Sequence, residues 1–216
     1  MKNRNLILIT ITVLIALFVG AAYIYKNNQT QKLIALAKEK AILFERPYSF
    51  VLGNKDAKVQ LVEFFDPACE TCALFHPYVK EIMKKYDGEI KLVLRYAPFH
   101  QNSNHAVKML EGARAQGKFM ETLEFMFDTQ KYWVQHHTVK PEILWQLLGN
   151  IKDLDMNEMA KFLKDPKNDE IIIQDLKDAK TLGVTKTPGY IVNGKPLQIF
   201  GLDNLIDLIE SERSKK

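Results

Sequence analysis

Four residues, Cys69-Glu70-Thr71-Cys72, constrain this chain more than any others. They hold both of the cysteines found among its 216 residues. The run 59–65 before them, Val-Gln-Leu-Val-Glu-Phe-Phe, is nearly continuous in apolar residues and predicts a strand covered on both faces. The run 73–86 after them predicts a helix. A strand that delivers a C-x-x-C to a helix start is the arrangement of a thiol–disulfide redox pair. The first turn of a helix has unpaired N–H groups and partial positive charge, which stabilise a thiolate and lower its pKa. Cys69 is therefore expected to be the exposed nucleophile. Cys72, one turn on and on the same side, is expected to be the buried resolving thiol.

A zinc site is the competing reading of two close cysteines, but zinc takes four ligands and the chain has no second C-x-x-C. His76 follows Cys72 by four residues and extends the pattern to three donors, with His100, His105, His136 and His137 as candidate fourths. This leaves a metal-binding alternative, a copper protein using Cys69, Cys72 and His76. The redox reading needs no metal or organic cofactor.

Composition excludes little else. The net charge of +4 is small and the basic residues are mixed among acidic ones, so no nucleic-acid stripe is expected. With no further cysteines, the chain has no structural disulfides. At its N-terminus Lys2 and Arg4 precede an apolar run over 6–25, long enough to span a bilayer. That length favours an uncleaved membrane anchor over a cleaved signal, although small residues at 19–22 suit a signal peptidase. Either way, the remainder is expected on the periplasmic or extracytoplasmic side of a bacterial cytoplasmic membrane.

A connector is expected over 26–47, with a short apolar stripe at 32–44. An edge strand is expected over 48–52, followed by the strand and helix around the cysteines and a second β-rich run, 90–96. Strand, helix, strand implies a parallel βαβ unit. Helical periodicity then fills 104–182: helices at 104–116, 119–129 and 142–148, a helix at 156–164 opened by an Asp155/Glu158 capping box, and one at 168–182 ended by Gly183. This is too much for a crossover and is read as a helical insertion. The chain returns to β structure at 190–192, turns at Asn193-Gly194, pairs back over 197–200, and ends in a helix capped by Asp203. The expected class is α/β, with a sheet domain formed by 48–103 and 183–216 around the inserted helices.

Two more features bear on chemistry. Glu63 lies mid-strand on the face shared by Val59, Leu61 and Phe65, which points it beneath the cysteines. Burial raises a carboxyl pKa, and this suits a proton acceptor for Cys72. Thr187-Pro188 stands just before the strand at 190–192; alone, such a proline marks a loop.

Together these pieces resemble a family. Phe64-Phe65-Asp66-Pro67-Ala68-Cys69-Glu70-Thr71-Cys72, the segment 113–119 (Ala-Arg-Ala-Gln-Gly-Lys-Phe), and 183–194 with its Thr187-Pro188-Gly189 are similar to the DsbA-type branch of the thioredoxin superfamily. The resemblance covers roughly 48–213. It implies a thioredoxin-like fold with an inserted helical subdomain and a cis peptide before Pro188. It also implies that Pro188 lies against the disulfide, while Thr187 offers its backbone to an extended substrate. It makes the chain a protein thiol–disulfide oxidoreductase, acting on client proteins with thiols or disulfides and served by a membrane redox partner. Apolar surface around Thr187 and Tyr190 is expected to receive unfolded clients. The departure from the family lies in Glu70-Thr71, where strong oxidants have Pro-His. A carboxylate next to Cys69 opposes its thiolate, so a weaker oxidant is expected, with oxidase still favoured over reductase or isomerase. His76 compensates only if its ring reaches the cysteines.

Overall fold

The computed structural model describes residues 17–20, 24–25 and 40–215. The chain divides into two units, Met1–Leu43 and Phe44–Lys216. In the first, 17–20 and 24–25 are helical. The rest of the apolar run 6–25 and most of the stripe 32–44 lie outside the described residues. Among the described residues no helix is long and apolar enough to cross a membrane.

The second unit is organised by one strand. β2 (Val59–Phe65) is buried along almost its whole length and lies in the middle of a five-stranded sheet of order β1-β3-β2-β6-β7. Its neighbours are β3 (Ile90–Tyr96), parallel to it from Val59↔Ile90 to Phe65↔Tyr96, and β6 (Gly189–Val192), antiparallel with Glu63 opposite Tyr190. The edges are β1 (Phe50–Gly53), antiparallel to β3, and the two-residue β7 (Lys195–Pro196). Alternation along β2 divides the interior. Val59, Leu61 and Phe65 pack in the same core as Cys69 and Cys72, whereas Val62 and Phe64 pack with Val93, Ala179 and Ile191 on the other face. Each fully buried side chain of this kind contributes roughly 1.5–3 kcal/mol. A β2 shifted by one register would therefore lose both cores at once.

The parallel β2–β3 pair is joined by α1 (Glu70–Lys85), which carries both cysteines at its start and buries Cys72, Val79 and Ile82 along one side. Between β3 and β6 come α2 (Ser103–Arg114), α3 (Phe119–Trp133), α4 (Pro141–Leu148), α5 (Met156–Lys164), a 3-10 turn (Pro166–Asp169) and α6 (Glu170–Thr181). These match the expected helices within a few residues. α2 crosses α5 at Gly112, where a Cβ would come within 2.3 Å of the Met159 sulfur, so any larger residue would force the Met159 side chain to shift. α7 (Leu202–Arg213) closes the chain, burying Leu205 and Ile209.

The structure corrects four local expectations. The strand after Asn193-Gly194 is confined to Lys195–Pro196; Leu197 still donates its N–H to the Tyr190 carbonyl (2.9 Å), but 198–200 leave the sheet, and Ile199 and Phe200 are exposed. α7 begins at Gly201 with no side-chain cap, because Asp203 already lies inside the first turn, where its charge meets the helix dipole. The capping box is half formed. Asp155 accepts N–H bonds from Asn157 and Glu158, but its own N–H goes to Gln116 Oε1 (2.8 Å), and Glu158 turns to Lys161. Finally, the helical insertion contains a small hairpin, β4 (Val134–Gln135) with β5 (Thr138–Val139), turning at His136-His137 with both residues at positive φ.

Candidate redox site

Cys69 is the N-cap of α1, with extended backbone (φ −82°, ψ 118°). Its sulfur accepts the backbone N–H of Cys72 at 3.4 Å, and its thiol lies 3.3 Å from the carbonyl of Thr187. Both cysteines are free thiols. Their environments differ sharply. The Cys69 pKa falls to about 6, first because the Cys72 thiol donates a hydrogen bond to it; burial works against this, and Thr187 and the backbone N–H groups of Cys72 and Thr71 add to it. The Cys72 thiol is pushed well above its ordinary value by burial, then by holding the proton shared with Cys69. Cys69 thus carries the negative charge and Cys72 the proton. The expectation of an exposed Cys69 needs correction: it is only 5% exposed, lying at the floor of an open cleft of about 700 Å³ rather than on the surface. Thr187 and Thr71 form part of the same cleft.

Glu63 is buried on the cysteine side of the sheet, 3% exposed. Burial raises its pKa to about 7, a hydrogen bond from the Tyr190 hydroxyl (3.2 Å) lowers it, and the charge of Cys69 raises it again. Its own charge in turn raises the pKa of Cys72. These mutual effects place the three groups in one electrostatic unit. Tyr190 is buried as the partner of Glu63, contrary to the expectation that it forms exposed client-binding surface. Its place in the alternation of β6, directly opposite Glu63, explains why. The Thr187–Pro188 bond is cis.

His76 does not reach the cysteines. Its ring packs tilted against Phe127 (centroids 5.2 Å apart), and Nε2 lies 3.8 Å from Glu124 on α3; burial lowers its pKa, with Glu124 opposing. His76 lies on the cysteine side of the helix but one turn beyond Cys72 and two beyond Cys69, and at that level its ring packs on α3. The three donors Cys69, Cys72 and His76 are therefore not gathered, and the copper alternative loses its ligand set. Glu70, expected to oppose the Cys69 thiolate, is solvent-exposed and lies 3.9 Å from His100 Nε2 and 3.7 Å from His137 Nδ1.

A further network braces the loop before Cys69. Asp66, fully buried just before the cysteines, accepts the N–H of Ala68 (2.8 Å), the N–H of His100 (2.9 Å) and the hydroxyl of Ser103, and pairs with His100 Nδ1 (2.7 Å). That contact raises the His100 pKa. Gln130 on α3 donates to the Pro67 carbonyl at 2.9 Å. The loop that presents Cys69 is therefore braced from α2, α3 and the β3–α2 connection. An acid next to Pro67 and Cys69 was the available signal; its partners lie 34 and 37 residues on and had none.

Residues 45–210 match the family model described as thioredoxin. The chain belongs to the thioredoxin family. Its architecture, a thioredoxin-like sheet with helices inserted between β3 and β6, is that of the DsbA-type thiol–disulfide oxidoreductases. The solved structure of oxidised BdbD from Bacillus subtilis superposes with a TM-score of 0.67 at 25% identity, covering 76% of this chain and 92% of that one. A Rickettsia typhi protein named "Putative protein-disulfide oxidoreductase" is 26% identical over 198 residues, 84% of this chain and 71% of that protein. A Na(+)/H(+) antiporter NhaA of Herminiimonas arsenicoxydans is 27% identical over 151 residues, which are 68% of this chain but only 23% of the antiporter. The chain thus spans less than a quarter of the length of its antiporter relatives.

Proposed function

We propose that the chain is an extracytoplasmic thiol–disulfide oxidoreductase that oxidises client protein thiols. The observation that carries this reading is the asymmetry of the cysteine pair: Cys69 at the helix start, reached from the cleft and favouring the thiolate, above a fully buried, protonated Cys72. A client thiolate attacks Cys69 Sγ of the Cys69–Cys72 disulfide, and Cys72 leaves. With its high pKa, Cys72 leaves as a thiol by taking the proton that Glu63 holds. A second client thiolate then attacks the client sulfur of the mixed disulfide and expels the Cys69 thiolate. The client gains a disulfide and the pair is left reduced. In the reverse direction Cys72 attacks the mixed disulfide and Glu63 takes its proton. An extended client segment is held by backbone contact at Thr187, beside Cys69 and Pro188.

A thiolate stabilised in the reduced state makes the disulfide easier to reduce, which supports the oxidase direction. The exposure of Glu70 and its two imidazole neighbours weaken the opposition expected from that carboxylate. The N-terminal apolar run supports a location outside the cytoplasmic membrane, with reoxidation by a membrane redox partner. Two measurements test the proposal. Cys72→Ala should trap client proteins as mixed disulfides through Cys69, identified by mass spectrometry, while Cys69→Ala should trap none. The redox potential of the pair, equilibrated against glutathione, should lie well above the roughly −270 mV of thioredoxin; a value at that level overturns the oxidase assignment.

A further inference from the structure

Among the described residues one group of histidine and carboxylate side chains converges as metal ligands do. Glu70, His100 and His137 place one donor atom each within 4.8 Å of one another. Three separate parts of the chain supply them. Glu70 is the first residue of α1 and directly follows Cys69. His100 belongs to the connection between β3 and α2. His137 stands at the tip of the β4–β5 hairpin in the inserted helices.

The convergence is built rather than incidental. His100 is oriented from behind: buried Asp66 engages its Nδ1 at 2.7 Å and its backbone N–H at 2.9 Å, so Nε2 faces Glu70 Oε2 at 3.9 Å. A carboxylate that holds one imidazole nitrogen so that the other faces a metal is a recurrent support of zinc ligands. The hairpin is tied to the same connection. Val139 donates its N–H to the Gln101 carbonyl at 2.9 Å, and Gln101 forms a bridge with Thr138. His136 and His137 turn with φ of 50° and 59°, a conformation uncommon for residues with side chains, and this brings His137 Nδ1 to 3.7 Å from Glu70 Oε1. The two imidazole rings lie 5.7 Å apart.

We propose that Glu70, His100 and His137 form a binding site for a single divalent zinc-class ion at the rim of the cleft that contains Cys69. Two imidazoles and one carboxylate suit zinc, with bonds of roughly 2.0–2.2 Å, and tetrahedral geometry then sets the donors about 3.3 Å apart. Glu70 and His137 are exposed side chains, and rotation of both closes the remaining gap from the present separations of up to 4.8 Å, about 1.5 Å at most. Three protein ligands leave a fourth position to water or to an incoming donor in the cleft. The site differs from a thiolate site: neither Cys69 nor Cys72 belongs to it, and it is available in the disulfide form. It is also independent of the direction in which the cysteine pair runs.

The test is zinc titration of the oxidised full chain, in which Cys69 and Cys72 are joined and cannot ligate, read by competition with a chromophoric chelator. One equivalent should bind with a Kd at or below about 10 μM. His137→Ala, at an exposed hairpin tip, should weaken binding at least tenfold, as should His100→Ala. His105→Ala, an exposed histidine outside the cluster, should leave it unchanged. Zinc should also shift the imidazole nitrogen resonances of His100 and His137. Absence of stoichiometric binding overturns the proposal, as does an affinity unaltered by His137→Ala or lowered equally by His105→Ala. If His100→Ala fails to fold, His137→Ala and the imidazole resonances decide.

Discussion

The two faces of the β2–β3 pair each bury charge, and they do so in opposite ways. On the face away from the cysteines, the fully buried Arg95 reaches Asp175 (2.7 Å) and Asp178 (2.6 Å) on α6. Arg46 grips Asp178 through two bonds (2.7 and 2.8 Å), Tyr48 donates to Asp175 (2.7 Å), and the Tyr96 N–H donates to the other Asp175 oxygen (2.8 Å). Two cations balance two anions. Although burial pushes the Asp178 pKa up, the hydrogen bonds of Arg46 and Arg95 hold it below its ordinary value. On the cysteine face, Glu63 has the Tyr190 hydroxyl and no cation among its described partners. A buried cluster in which each carboxylate is held by an arginine serves as architecture. A carboxyl buried with one neutral donor titrates near neutrality and can pass a proton.

The largest effect is expected from unbalancing the arginine–aspartate cluster. Asp175→Ala should destabilise the fold by about 3–5 kcal/mol in denaturant unfolding, since it leaves Arg46 and Arg95 to share the single carboxylate of Asp178 and takes the acceptor from the Tyr48 hydroxyl and the Tyr96 N–H. The thiolate absorbance of Cys69, which should titrate near pH 6, should stay in place in that variant. A shift there would mean that the two faces are coupled.

Glu63→Gln should act in the opposite sense. The unfolded carboxyl releases its proton near 4.5 and the folded one near 7, so between those values the folded chain holds the extra proton and stability falls as pH rises. Glutamine removes that loss. The variant should gain up to about 3 kcal/mol over the parent above pH 7 and nothing below about pH 4, measured as unfolding free energy against pH. It should also slow disulfide exchange by about 10²-fold, because Cys72 loses its proton donor. Tyr190→Phe is the smallest probe. It should cost about 1 kcal/mol and move the Glu63 pKa further up, seen as an extension of the pH-dependent loss of stability to higher pH.

The sequence showed some of this and hid the rest for physical reasons. β2, α1 and the cysteine-facing position of Glu63 in β2 follow from short-range periodicity, which fixes faces without knowledge of partners. Arg95 carried the same signal as Glu63, a charge in an apolar strand, and the same argument would have marked it. Its partners could not be named, since Asp175 and Asp178 lie 80 and 83 residues away on a helix whose charged residues read as ordinary surface. The fate of His76 depended on which helix packs against α1, and spacing along α1 does not say. Neither His136 nor His137 is a usual choice for positive φ, so no turn signal marks the hairpin in the sequence.

The bond from Gln130 to the Pro67 carbonyl has a consequence for protein engineering. A minimal enzyme made by splicing β3 directly to β6 would retain every strand of the sheet and both cysteines. It would also strip the peptide ahead of Cys69 of its outer support: the Pro67 carbonyl would lose its donor, and Asp66 would lose Ser103. The helices between β3 and β6 are therefore not cargo on an autonomous scaffold. Any shortened descendant would have to reinvent a clamp for that loop before its thiols could hold their present geometry.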